Sequence, residues 1–233
     1  MEDAFLKYMC RRVEKKAKPD PQQADGGPVI TISRQYGCHG QSIGIKLVEA
    51  INRRNQVNNR HCVWQFISKE ILYESAKELN MSPAALYELT TNVRDDIFSN
   101  LTTFFADNYY TDSTRRCNTI ARILYSYAQA GNVVILGRAG ESVTKNMKRS
   151  LSIKLEAPIE IRARRVSDEE NISFDAARRM CLDEDAKRLA FRQYFEGKSP
   201  DVDFFDAVLN LGKLTDDEAM EVIMILAEAR GFF

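Results

Sequence analysis

The sequence predicts an α/β fold in which a five-stranded parallel sheet is flanked by helices. Two observations predict it: short, continuous apolar runs alternate with longer segments of helical periodicity, and glycines follow several of the apolar runs. Continuous apolar strands are typical of parallel sheets that helices cover on both faces. At 233 residues the chain has the length of one such domain with an inserted segment, and two independent cores are less favoured.

The first 28 residues are predicted to be a helix over 1–18 and a linker rich in proline and glycine over 19–28, followed by a domain over 29–233. The helix is basic, with apolar side chains along one side. It could touch a membrane surface, but its modest apolar face and the lack of a lipidation signal favour packing on its own domain or on a second copy. A homodimer through this helix is therefore one expectation.

Strands and helices alternate from the linker to the end of the chain. Apolar, β-branched character predicts strands at Val29–Ser33, Cys62–Ile67, Val133–Leu136, Leu151–Leu155 and Ala207–Leu211. Helical periodicity predicts helices at Gln41–Arg54, Lys69–Leu79, Pro83–Leu89, Val93–Phe105, Ser113–Ala130, Pro158–Val166, Phe174–Phe195 and Asp216–Ala229. The last helix has a clear start, because Thr215 and Glu218 have the spacing of a capping box.

Two segments are predicted to lie near the edge of the sheet where ligands bind, which in parallel sheets is beyond the carboxyl ends of the strands. The stretch over about 68–130 is helical and contains no strand, so we interpret it as an insertion at that edge. The acidic run Val166–Asn171 predicts an exposed, mobile loop. Such a run is typical of a lid, here over about 166–178, and equally of an ordinary surface loop.

The composition argues against several classes of protein. The chain has 33 Lys+Arg and 33 Asp+Glu, so it lacks the basic excess of a nucleic-acid binder. No apolar run reaches the ~18 residues that span a bilayer, and the N-terminus has no signal-peptide core. The five cysteines are scattered without a C-x-x-C pair, which favours neither a disulfide framework nor a zinc site. We expect a cytoplasmic protein that binds neither nucleic acid nor membrane.

The segment after the first strand, residues 34–42, contains two glycines and leads directly into a helix. Glycines let main-chain N–H groups approach an anion closely, and a helix N-terminus adds about half a positive charge. The alternative is an ordinary turn between a strand and a helix. We call this segment the glycine loop and predict that it binds phosphate, with Ser42 near a magnesium ion. The main-chain N–H groups expected to contribute belong to Gly37, Cys38, His39, Gly40 and Gln41.

One charge is missing from the glycine loop. The phosphate-binding pattern G-x-x-x-x-G-K-[ST] has a lysine immediately before its hydroxyl residue. Here Gln41 precedes Ser42, and Gly40 precedes Gln41. Arg34, where the loop begins, is the candidate that would supply part of this charge.

Arginines after two other predicted strands are further candidates for phosphate contacts. Arg138 follows a strand and a glycine, and an arginine there can hold a phosphate through two hydrogen bonds. Arg162, Arg164 and Arg165 lie around one helical turn and could close over a transferring phosphoryl group. The alternatives are a surface arginine in a loop and a solvated helix end.

Two charged residues, Asp185 and Arg188, interrupt the apolar stripe of the helix predicted at Phe174–Phe195. A charged stretch within an apolar stripe is less usual than a wholly polar outer face. These residues either contact a ligand or form a surface pair three residues apart, worth a few tenths of a kcal/mol.

Five motifs, in order, resemble the cytidylate kinase-like family of nucleoside monophosphate kinases over about 28–231. They are Ile30–Gly37, Val133–Arg138, Leu155–Pro158 followed by Arg162–Arg165, Asp185-x-x-Arg188, and Ser199-Pro200 with Asp206–Asn210. The resemblance implies a P-loop NTPase fold of the nucleoside monophosphate kinase type, with the helical insertion on the acceptor side and a lid.

The resemblance also implies a reaction and roles for these residues. The reaction is phosphoryl transfer from ATP, with Mg²⁺, to a nucleoside monophosphate, and CMP or dCMP is the first acceptor to test. Arg138 and Arg188 would hold the acceptor phosphate, and Asp185 would orient its sugar. Arg162 and Arg165 would close with the lid and, together with Arg188, act in catalysis.

Three positions depart from the pattern of cytidylate kinases. The lysine of the phosphate loop is absent, Ala139 replaces an aspartate after Gly-Arg, and Cys181 replaces an arginine. These departures keep a second hypothesis open, a nucleotide-binding or interaction module of the same fold with weakened catalysis. A nucleic-acid-binding protein is a third hypothesis, which the balanced charge disfavours.

Overall fold

A five-stranded sheet forms the centre of the computed structural model, which describes residues 26–68, 124–196 and 204–233. Its spatial order is β2-β3-β1-β4-β5, and every neighbouring pair of strands is parallel. The predicted fold class is therefore confirmed. The strands are β1 (Val29–Arg34), β2 (Gln65–Ile67), β3 (Val133–Leu136), β4 (Ser150–Glu156) and β5 (Ala207–Asn210).

Helices cover both faces of this sheet. The helices are α1 (Gly40–Val57), α2 (Gly140–Thr144), α3 (Ile159–Glu170), α4 (Phe174–Glu196) and α5 (Asp216–Ala229), and residues 124–130 are also helical. Helices α1 and α5 pack together on the face that carries Ile30 and Ile153. Helix α2 lies against the opposite face, because Gly140 is next to Thr31 and Ile135.

The apolar pattern of the sequence follows from this burial. Ile32, Val134 and Ile153, from the three central strands, are all 0% exposed. On α1 the buried Ile43, Leu47 and Ile51 are spaced by four residues, which places one face of the helix on the sheet. Strands buried on both faces need apolar side chains at successive positions, which explains the continuous runs.

The strand order brings three loops together at one edge. Strand β1 lies between β3 and β4, so the carboxyl ends of all three strands are neighbours. The glycine loop after β1, the Gly137-Arg138 turn after β3 and the loop before α3 all start at this edge. This is the position at which parallel α/β sheets bind ligands.

Strand β2 is shorter than the predicted Cys62–Ile67. Residues 62–64 belong to no strand, and side-chain amides of α1 bind their backbone in place of a neighbouring strand. Asn52 accepts from the Trp64 N–H at 2.7 Å and donates to the Trp64 carbonyl at 3.0 Å, and Asn55 donates to the Cys62 carbonyl at 3.1 Å. The sheet ladder therefore begins at Gln65.

Helix α3 is longer than predicted and α2 was not predicted. Ser167–Glu170, expected to be loop, continue α3, which ends at Asn171 in the left-handed conformation with φ 52°. Asparagine is favoured at such helix ends. The capping box before α5 is confirmed, since the Glu218 N–H donates to Thr215 Oγ1 and the Glu218 carboxylate accepts from the Thr215 N–H.

Several predictions fall on other parts of the chain. The N-terminal helix, Ser199-Pro200 and most of the insertion over 68–130 lie outside the described residues, and residues 124–130 at its end are helical as predicted. Across the described ranges, no helix combines the length and the apolar character that crossing a bilayer requires.

Candidate functional site

The glycine loop leaves β1 in a tightly fixed path. The Gln35 N–H donates to the Leu155 carbonyl at 3.0 Å, and the Gln35 side-chain oxygen accepts from the Ala157 N–H at 3.0 Å. Gly37 then has φ +79°, and a Cβ on it would lie 2.9 Å from the carbonyl oxygen of Arg162. Only glycine combines this conformation with so close a contact to a helix backbone.

The N–H groups of the glycine loop divide into two sets. Cys38 and Gly40 donate within the loop, to the carbonyls of Gln35 at 3.2 Å and Cys38 at 2.7 Å. Among the described residues no protein acceptor binds the main-chain N–H of the other set, which comprises Gly37, His39, Gln41 and Ser42. The first turn of α1 contains no acidic residue of its own, which favours an anion at the helix N-terminus. This second set suits an anion.

An ion pair holds the peptide groups on either side of Tyr36. The Tyr36 carbonyl accepts from Arg162 Nη1 at 3.0 Å, and the Tyr36 N–H donates to Asp185 Oδ1 at 2.7 Å. Arg162 Nη1 also binds Asp185 Oδ2 at 2.6 Å, and Arg162 is 4% exposed. The structure thus places both side chains on the backbone of the glycine loop. The resemblance implied other roles, in which Arg162 closes with the lid and Asp185 orients the sugar of the acceptor.

Arg188 also contacts the glycine loop. Its Nη1 donates to the Arg34 carbonyl at 3.0 Å, and its guanidinium carbon lies 5.2 Å from the centre of the Tyr36 ring. Burial lowers the pKa of Arg188, and the nearby Asp185 and Glu184 carboxylates oppose that effect. Asp185 and Arg188 therefore have separate partners on the loop, and no ion pair joins them within the described residues.

The other two arginines predicted on α3 have no hydrogen bond to the glycine loop in the described residues. Arg165 is half-buried, and its Nη2 donates to the Leu211 carbonyl, just after β5, at 2.8 Å. Arg165 Nη1 is buried without a hydrogen-bond partner in the described part of the chain. Arg164 is exposed. The structure does not bring these two side chains onto the loop backbone as it does Arg162.

The turn after β3 has three successive left-handed residues. Gly137, Arg138 and Ala139 have φ values of 69°, 60° and 52°. This conformation costs about 1–2 kcal/mol for each residue other than glycine, and such strain is typical of functional sites. The Arg34 guanidinium lies against Gly137, since Nη1 would be 1.9 Å from a Cβ placed there. The structure therefore brings Arg34 to the turn that carries Arg138.

His39 joins the glycine loop to two other elements. Its Nδ1 lies 2.9 Å from Asp216 Oδ2, at the start of α5, and its Nε2 lies 3.3 Å from Glu169 Oε1, near the end of α3. The His39 side chain thus contacts the carboxylates of Asp216 and Glu169. The main-chain N–H of His39 belongs to the set without a protein acceptor in the described residues.

Cys38 is a buried thiol inside the loop. Burial raises its pKa to about 11, although the positive charges of Arg162 and Arg165 oppose the shift. Because the thiolate is the reactive form, we expect Cys38 to react with iodoacetamide at pH 8 at least ~10-fold more slowly than the exposed Cys62. Peptide mass spectrometry over time measures both rates. The rates should converge in 6 M urea, and equal rates in the folded protein would contradict this prediction.

Sequence reasoning missed part of this site. Gln35 and Tyr36 stood inside the quoted motif but received no role, because their contribution is made by backbone and side-chain amide groups. Glu169 and Asp216 contact His39 from 130 and 177 positions away, so no local pattern could indicate them. Only the packing of α3 and α5 around the loop reveals these contacts.

Comparisons with known proteins agree with this fold. The sequence profile of the cytidylate kinase-like family matches residues 29–213. The chain is similar to the cytidylate kinase of Methanocaldococcus jannaschii, 34% identical over 89 residues that cover 37% of this chain and 50% of that protein. It is also similar to the cytidylate kinase of Methanopyrus kandleri, 31% identical over 105 residues that cover 41% of this chain and 54% of that protein.

The chain spans about half the length of the curated relatives it matches. Among solved structures, its fold is similar to that of an uncharacterized protein from Eubacterium ventriosum, with a TM-score of 0.58 at 21% identity, over 87% of this chain and 98% of that chain. That likeness concerns the fold alone. Because the family profile covers well over half of the chain, the protein belongs to the cytidylate kinase-like family.

Proposed function

We propose that this protein transfers a phosphoryl group from ATP to a nucleoside monophosphate, with CMP or dCMP as the acceptor. One observation carries the proposal: the N–H groups of Gly37, His39, Gln41 and Ser42, at the start of α1, have no protein acceptor in the described residues. They lie at the edge of the sheet where ligands bind. Membership of the family supports the same reaction.

In this proposal the glycine loop binds the donor phosphates and Ser42 contacts Mg²⁺. Ser42 is exposed in the first turn of α1, as a hydroxyl ligand would be. The described residues contain no group of three or more His, Cys, Asp or Glu side chains that could hold a metal. That fits Mg²⁺, which usually takes most of its ligands from phosphate and water. When bound, the ion would neutralise charge on the phosphate oxygens.

The acceptor would bind beside the turn after β3. Arg138 and Arg188 would hold its phosphate, and Arg34, whose guanidinium touches Gly137, would add positive charge between donor and acceptor. No general base is needed because the attacking phosphate is already an anion, so positioning and electrostatics carry the reaction. The helical insertion over 68–130, the lid over 166–178 and dimerisation through residues 1–18 remain parts of this proposal.

A second candidate function is nucleotide binding without efficient turnover. It is favoured by one observation at Gly40 and Gln41, the two residues before Ser42 where a phosphate-binding loop would have its glycine and lysine. A Cβ on Gly40 would lie 3.1 Å from Leu136 Cδ1 and 3.2 Å from Arg34 Cγ, and the next residue, Gln41, is uncharged. Neither position supplies the ammonium group that phosphate-binding loops normally use.

A coupled assay of ATP with CMP, dCMP, UMP, AMP and GMP tests the proposed function. We expect Arg138→Ala to lower kcat/KM for the acceptor by about 100-fold, because the acceptor phosphate loses a two-point contact. Arg149→Ala is the matched control, since Arg149 precedes β4 at the opposite end of the sheet and contacts Phe232. It should change kcat/KM less than about twofold.

The outcomes separate the two candidates. If no monophosphate is phosphorylated and Arg138→Ala leaves nucleotide affinity unchanged, the kinase proposal fails. ATP binding by calorimetry without any product would support the second candidate.

A further inference from the structure

The ion pair between Arg162 and Asp185 binds both main-chain polar groups of Tyr36, the carbonyl and the N–H. Arg162 donates to the Tyr36 carbonyl at 3.0 Å, Asp185 accepts from the Tyr36 N–H at 2.7 Å, and the two side chains meet at 2.6 Å. The Tyr36 N–H is therefore occupied by protein, directly before the N–H groups that are open to a ligand. We call this arrangement the Tyr36 clamp.

The Tyr36 clamp also connects three separate elements of the fold. Arg162 lies on α3, and its Nε donates to the Ala157 carbonyl, just after β4, at 2.8 Å. Asp185 lies on α4. The Arg162 side chain is 5% exposed and that of Asp185 is 23% exposed, so the pair is largely removed from water. A buried ion pair adds little net stability to a fold, because removing both charges from water costs free energy. We therefore consider the geometry that this pair fixes, and not its contribution to stability.

The geometry that the clamp fixes is the direction of the neighbouring peptides. Gly37 follows Tyr36 and packs with its Cα against the backbone of Arg162, where a Cβ would be 2.9 Å from the carbonyl oxygen. Holding the Tyr36 peptides therefore sets where the Gly37 N–H points and how the loop approaches α3. Without the clamp, the loop would lose two of the hydrogen bonds that fix the path of its backbone.

We propose that Arg162 and Asp185 are positioning residues for the donor phosphates, acting through the backbone of Tyr36 and not through contact with the acceptor. The inference rests on the proposed function, because it assumes that the glycine loop binds a polyphosphate. The resemblance implied that Asp185 contacts the sugar of the acceptor. The present inference instead assigns Arg162 and Asp185 to binding of the donor.

Calorimetric titrations with inorganic tripolyphosphate, a nonhydrolysable ATP analogue and CMP test this inference. Asp185→Asn should weaken binding of tripolyphosphate and of the ATP analogue by about tenfold or more, and CMP affinity should change less than about twofold. In steady state, KM for ATP should rise more than KM for CMP. Glu184→Gln is the matched control, since Glu184 is the neighbouring residue on α4 and pairs with Lys187 at 2.5 Å. It should leave all three affinities unchanged.

A second variant covers the case in which Asp185→Asn fails to fold, since it leaves the Arg162 charge buried alone. The double change Arg162→Met with Asp185→Leu removes both charges, which proteins often tolerate. It should fold and show the same selective loss of polyphosphate binding. Amide hydrogen exchange gives a readout that needs no ligand: the Tyr36 N–H should be protected in the parent protein and exchange at least ~10-fold faster in the double variant.

Each result has a distinct meaning. Loss of CMP affinity with unchanged tripolyphosphate affinity would overturn the inference and return Asp185 to the acceptor. Unchanged affinities for all probes in a folded double variant would also overturn it. If the parent protein binds neither tripolyphosphate nor the ATP analogue, the proposed function itself fails, and that outcome is separate because it is seen before any substitution is made.

Discussion

Gly37→Ala is expected to lower the affinity for ATP by about 100-fold, which corresponds to roughly 2.7 kcal/mol. The new methyl group would lie 2.9 Å from the carbonyl oxygen of Arg162 and 3.0 Å from its Cβ, and φ at this position is +79°. Neither side can move easily, because Arg162 is fixed to Ala157, Tyr36 and Asp185. The loop must therefore shift, and its open N–H groups shift with it. Calorimetric titration with ATP measures the effect.

Gly231→Ala is the control that separates conformational strain from the clash. Gly231 also has positive φ, +67°, but a Cβ there meets nothing within 4 Å. We expect this variant to lose about 1 kcal/mol of unfolding free energy and to keep the ATP affinity of the parent. If Gly37→Ala binds ATP as well as Gly231→Ala does in the same titration, the glycine loop is not the donor site.

The sheet could be predicted because it depends on local patterns. Strands buried on both faces require runs such as Val29–Ser33 and Val133–Leu136, and the structure extends the first by one residue and keeps the second. The capping box at Thr215 is likewise a pattern over four residues. A loop with two glycines after such a strand also predicted a tight turn, and Gly37 has the positive φ of +79° that glycine favours.

The partners of the charged side chains could not be predicted, because they depend on distant elements. Asp185 binds a peptide group 149 positions away, and Arg162 binds the same residue from 126 positions away. Helix α2 was missed for a local reason: it follows a turn in which Arg138 and Ala139 adopt positive φ, and neither residue type favours that conformation. Strain of this kind leaves no signal in periodicity or composition.

Gln41→Lys is expected to raise kcat by about 100-fold, since losing one preorganised donor at a reacting group costs on the order of 10²–10³ in rate. The structure indicates which position can accept the lysine. A side chain at Gly40 would be crowded by Leu136 and Arg34, whereas Gln41 is exposed in the first turn of α1. A lysine at 41 would add its ammonium group beside the open N–H groups of the loop. The coupled assay with ATP and CMP measures kcat and both KM values.

Gln41→Met distinguishes the charge of the lysine from its length. Methionine has a long, flexible side chain without a charge, so it should leave kcat within about twofold of the parent value. A rise with lysine alone would mean that the rest of the site is already arranged for phosphoryl transfer and lacks only one cation. If lysine and methionine give the same kcat, the missing ammonium group does not limit turnover. In that case Arg34, whose guanidinium lies against Gly137, is the next residue to vary, because it already places a positive charge at this edge.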